Sequence, residues 1–149
     1  MKQKDKTLSA NELMVDDIVM FGCLDGTSII VKLTEIGEFH MHGQSASASH
    51  WANIKDVHAV KTTVAFLEKN GFKKSDGTAG IHGVCYELEN PEERYVITVV
   101  FYGADYGNET RLLLNIDYKD AECLNIKCDY IHQLQHALKL CGIKKEFEI

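Results

Sequence analysis

Two histidine pairs are the residues of this chain whose spacing could do chemistry. His132 and His136 stand four apart in "YIHQLQHALKL", one turn of a helix, the separation at which two imidazoles can share a metal. His40 and His42 alternate with Phe39 and Met41 in "EFHMHG", so on a strand they project from one face. A zinc held by such a strand pair needs a third ligand from a neighbouring strand, and His58 of "KDVHAV" is the candidate. The trio His40, His42 and His58 therefore supports a metal-dependent hydrolase reading, with zinc as the cofactor. The helical pair lacks what a zincin requires. Its second residue is Gln133, whose neutral amide cannot serve as the base that glutamate supplies there.

On a helical wheel Tyr130, Ile131, Leu134, Ala137, Leu138 and Cys141 form one apolar stripe, and His132 and His136 fall opposite it. They are expected to face solvent or a partner. Leu140 lies on their side of the wheel, which makes His132, His136 and Leu140 a candidate contact stripe. His50 and the single tryptophan, Trp51, are a second candidate contact, at the end of the small-residue stretch "GQSASASHWAN".

Other catalytic signatures are missing. There is no G-x-S-x-G nucleophile elbow, and "GTAGIHG" lacks the G-K-[ST] of a phosphate loop. The five cysteines are odd in number and scattered, and they read as reduced thiols. The 149 residues carry 16 basic and 22 acidic groups, a formal charge of −6 that disfavours nucleic acid as a partner. No secretory signal is read at the start, and the longest apolar run, "YVITVVFY", suits a strand and not a bilayer span. A cytoplasmic protein is expected, with no membrane partner.

The elements that must position these residues are short. Residues 1–12 are polar and expected to be flexible. Residues 13–61 break into strands of about five residues at glycine and acidic turns, as in an SH3-like small β-barrel whose closure would remove the exposed edges. Gly43 to Asn53 is read as a low-complexity loop of small residues, mobile or ordered by something else. Residues 62–149 read as helix, four-stranded antiparallel meander and helix. Thr62 or Thr63 caps the first helix, Gly71 and Gly142 stop the two helices, and Asp129 is the expected cap of the second. The fold class is α+β.

Two stretches carry a resemblance. "ELMVDDIVMF" resembles the opening E-L-[RM]-[IV]-G-[ND]-[WIY]-V of small uncharacterised proteins of gut Bacteroidales and their phages and mobile elements. "YIHQLQHALKLCGIKKEFEI" resembles their ending Y-[IV]-H-[EQ]-L-Q-[NH], and "FLEKNGF" falls where they carry a similar helix. Asp16 stands where that pattern has glycine. The resemblance implies the fold and a mobile-element context without supplying an activity. A V-x-D-x-V opening of a small barrel is also similar to SH3-like modules that bind proteins, peptides or nucleic acids. The expectation is a non-enzymatic protein-binding or accessory module, acting on a protein partner or by self-association. The metal-dependent hydrolase and a nucleic-acid-binding module stand as alternatives.

Overall fold

The computed structural model describes residues 6–76, 83–117 and 124–149. Among these residues it is an α+β protein with two antiparallel sheets and two α-helices, in two compact units. The first unit comprises residues 1–61 with 130–147 and 149, and the second residues 62–129 with 148.

In the first unit, β1 (Ile18–Gly22), β2 (Ser28–Ile36), β3 (His40–Gln44), β4 (Ser49–Asn53) and β5 (Val57–Ala59) form one sheet in the order β4-β3-β2-β1-β5. Alternation along each strand sorts the side chains. Val19, Phe21, Val31, Leu33, Met41, Ala52, Val57 and Ala59 make the core face, closed by Leu8 and Leu13. Gly43 sits on that face because a Cβ there would come within 2.6 Å of Val31 Cγ2.

Among the described residues no closed barrel is found: β4 and β5 are the two ends of the sheet. The edge of β5 is covered otherwise. Residues Lys6–Leu8, expected to be flexible, run beside it, with Leu8 N–H donating to Val57 O at 3.0 Å and Ala59 N–H to Lys6 O at 2.8 Å. Leu8 is buried and Ala10–Glu12 is a 3-10 turn, so the ordered chain starts well before the expected residue 13. The stretch read as a low-complexity loop is mostly the β3–β4 hairpin. Its turn is held by its own serines, with Ser45 N–H donating to Ala48 O at 2.9 Å and Ser49 Oγ to Gln44 Oε1 at 2.7 Å.

The second unit holds α1 (Val64–Lys69), then β6 (Lys73–Ser75), β7 (Gly83–Asn90), β8 (Tyr95–Tyr102), β9 (Thr110–Ile116) and β10 (Leu124–Lys127), paired in the order β10-β9-β8-β7-β6. Among the described residues this sheet thus has five strands where four were expected. β8, apolar on both faces, is the central one, with Tyr95, Ile97 and Val99 buried on one face and Val100 on the other. Thr63 Oγ1 caps α1 by accepting from Phe66 N–H at 3.2 Å.

The last helix, α2 (Ile131–Leu140), packs against β1 and belongs to the first unit, not to the 62–149 unit that was expected. Its cap is Tyr130. Asp129 is engaged elsewhere, accepting from Thr110 N–H at 2.7 Å. Gly142, at φ +76°, ends α2 in a Schellman arrangement, with Gly142 N–H bonded to Lys139 O at 3.0 Å and Ile143 N–H to Leu138 O at 2.9 Å. That reversal sends residues 143–147 back along the helix, with Ile143 and Phe147 buried.

Candidate functional site

The first surface of interest is the outer face of the β3–β4 hairpin. The register sets His42 opposite Trp51 and His40 opposite Asn53. Trp51 is 64 % exposed, and the His40 ring meets its edge with centroids 5.6 Å apart. Phe39, also exposed, precedes them. His50 does not join this face. Alternation turns it to the other side, where its Nε2 lies 3.0 Å from Ser45 Oγ, so the expected His50–Trp51 contact pair reduces to Trp51.

The trio proposed as a zinc site is not brought together. β3 carries His40 and His42, β5 carries His58, and β2 and β1 lie between. Three strand spacings, about 14 Å in all, separate them, against Zn–N bonds of about 2.1 Å. Among the described residues no group of three or more His, Cys, Asp or Glu side chains could hold a metal ion.

The helical histidines correct the wheel reading. His132 is only 2 % exposed, stacked on the Tyr130 ring and edge-on to His136, while Leu140 is 83 % exposed. The three form no continuous stripe. The face opposite the apolar stripe is buried because a second surface closes on it. Asp17 comes against His136, and Lys6 and Glu12 lie close enough to act electrostatically on His132. Burial, then the neighbouring His136 and Lys6, pulls His132 down to about 4, so it is neutral at pH 7. Its Nδ1 is buried with no hydrogen-bond partner.

His136 sits in the second surface of interest, a cleft of about 390 Å³ between the approach to β1, β2, the end of α2 and the returning tail. Its Nε2 is 2.8 and 2.9 Å from the two carboxylate oxygens of Asp17. An ionised carboxylate can only accept, so Nε2 carries the proton and Nδ1 is the nitrogen left for a ligand. The Asp17 side chain is 3 % exposed. Burial raises its pKa above the usual carboxylate value, against the lowering effect of the Met14 N–H bond at 2.8 Å and of His136. The adjacent Gln135 uses both ends of its amide: Oε1 accepts from Ile18 N–H and Nε2 donates to Asp16 O, each at 2.9 Å. Asp16 itself lies at φ +75°. Lys32, Lys139, Lys144 and Lys145 line the same cleft, together with Met14 and Val15.

Asp17, Gln135 and the lysines of the cleft escape a local reading of the sequence. The hydrogen bonds that assemble them join residues 117 and 119 positions apart. Of the cysteines, Cys85 and Cys128 are buried and Cys23 is exposed, while Cys123 lies outside the described residues, as does most of "GTAGIHG". No helix among the described residues is long and apolar enough to cross a membrane. Comparison with protein-family models, with curated proteins and with solved structures returns no significant match for this chain.

Proposed function

We propose that this chain is a non-enzymatic protein-binding module that takes an extended segment of a partner onto the open edge of β4, with Trp51 as the anchoring side chain. The observation that carries the reading is the state of the sheet edges. A free edge strand offers unpaired backbone groups to any extended chain, and proteins blunt such edges with charge, proline or cover. β5 is covered by Lys6–Leu8, β6 carries Lys73 and Lys74, and β10 carries Lys127. β4 reads Ser-His-Trp-Ala-Asn, with no Lys, Arg, Asp, Glu or Pro, and no strand pairs with its outer side among the described residues. Strand addition draws its affinity from main-chain hydrogen bonds and its specificity from alternate side chains. Trp51 is the large exposed side chain at the centre of that strand. The strand order, with a 3-10 turn (Ile54–Asp56) between β4 and β5, supports an SH3-like module, although fold alone does not fix function.

A photo-crosslinking amino acid placed at position 51 in cells tests the proposal, with the fully exposed Leu24 as the control position. A discrete protein adduct at 51, absent at 24 and abolished by Ser49→Lys on the same strand, is the expected result. An adduct of twice the chain mass identifies the partner as a second copy. Identical labelling at both positions, or labelling at 51 indifferent to Ser49→Lys, would sink the idea.

A further inference from the structure

We propose that the cleft beside α2 binds a small phosphate ester with an apolar body. Its volume, about 390 Å³, falls within the range of small-molecule sites. Asp17 and His136 answer each other at its wall. The remaining charged lining is then four lysines, Lys32, Lys139, Lys144 and Lys145, against the exposed carboxylates of Asp16 and Glu146. With Asp17 included and His136 counted as neutral, the convention of the chain's formal charge of −6, the lining still carries a surplus of one positive charge. None of the four lysines has an ion-pair partner among the described residues.

A helix terminus explains only part of this. The negative end of the α2 dipole accounts for Lys139 in its last turn. It does not account for Lys32, which comes from the middle of β2, or for Lys144 and Lys145, which follow the helix after its glycine stop. Lysines lining one cleft from β2, α2 and the returning tail suit a phosphate, which lysine recognises as a point charge without the planar fork that arginine brings to carboxylates, although the Lys145 Nζ also lies over the Phe147 ring, 5.7 Å from its centroid.

The apolar half of the proposal rests on Met14 and Val15. Both are exposed, 38 % and 47 %, at the cleft, with Ile143 and Phe147 buried beneath. The turn that presents them is held firmly by the Gln135 and Asp17 hydrogen bonds, so the wall is preformed. A ligand with a flat or branched apolar part beside its phosphate would cover these side chains while meeting the lysines.

The test uses the full chain, labelled with 15N and titrated with phenyl phosphate, inorganic phosphate and benzyl alcohol. Phenyl phosphate is expected to move the Gly142 amide and the Gln135 side-chain amide saturably. Inorganic phosphate and benzyl alcohol should each bind at least tenfold more weakly. Lys32→Gln and Lys144→Gln, on separate elements and free of ion pairs, should each weaken phenyl phosphate severalfold with an unchanged unfolding midpoint. Phosphate binding as tightly as its phenyl ester would overturn the apolar wall, and affinity unchanged in both variants would overturn the lysine site. Co-sedimentation with phosphatidic acid vesicles, without any shift on adding the soluble ester, would assign the lysines to a lipid headgroup and refute a soluble ligand.

Discussion

At the scale of single residues, His132 is where burial acts directly on a titratable group. It is a titratable group buried neutral, stacked on Tyr130, with an unpartnered Nδ1. Folding takes its pKa from the ordinary 6.5 to about 4. Between those values the unfolded chain holds the extra proton, so stability rises with pH across that window and is lost as acid is added. A shift of this size corresponds to roughly 3 kcal/mol. Glu12, held near 2 by its bond from Lys6, extends the loss below pH 4.5. Asp17 works in the opposite direction, because its carboxyl is raised by burial and gains stability on protonation. Urea unfolding between pH 7 and 4.5 should therefore show a falling midpoint in the native chain. His132→Phe, which keeps the stack on Tyr130, should flatten that slope. A slope unchanged in the variant would place the titrating group elsewhere.

Among the elements, the junction of β1 with α2 is where the two stretches "ELMVDDIVMF" and "YIHQLQHALKL" meet. Gln135 replaces a missing strand neighbour for Ile18 N–H and ties down the carbonyl of Asp16. Gln135→Leu keeps the volume but leaves that donor and acceptor unanswered, and should cost about 2–3 kcal/mol, measured by chemical unfolding. Much of this element's anatomy was legible. The glycine stops at Gly71 and Gly142 and the central position of β8 follow from local pattern, since a left-handed stop and a two-faced apolar strand leave marks on neighbouring residues. The wheel also found the apolar stripe of α2. It could not show that residues 6–17 would close on the opposite face, because that surface is far away in sequence. The same limit hid the separation of His58 from His40 and His42, which depends on strand order, and the serine bonds that turn a low-complexity stretch into a hairpin. Asp16 occupies a left-handed backbone position at φ +75°, where glycine is the residue with least strain.

Across the whole molecule, the units are not consecutive in sequence: residues 62–129 interrupt the first. Thr62 N–H meets Asp129 O at 2.9 Å, so the inserted unit leaves and rejoins at one place. A chain ended after Asp129 would lack Ile131, Leu134 and Leu138, all buried, whose burial contributes roughly 6 kcal/mol. This approaches the entire stability of an ordinary domain. Such a truncation is expected to lose the dispersed amide spectrum of residues 6–61, and a native-like spectrum for them would refute the dependence.

The interruption also sets a schedule during synthesis. A ribosome adding about 5–20 residues per second needs roughly 3–14 s to pass from Lys61 to Tyr130. Throughout that interval the five strands made first are without the helix that packs on β1. The unit begun second has all but its Glu148 by then and can close before the first is complete. The nascent sheet therefore waits, with Ile18 uncovered and its β4 edge open, in the period when a chaperone or a neighbouring nascent chain has its best opportunity to reach it.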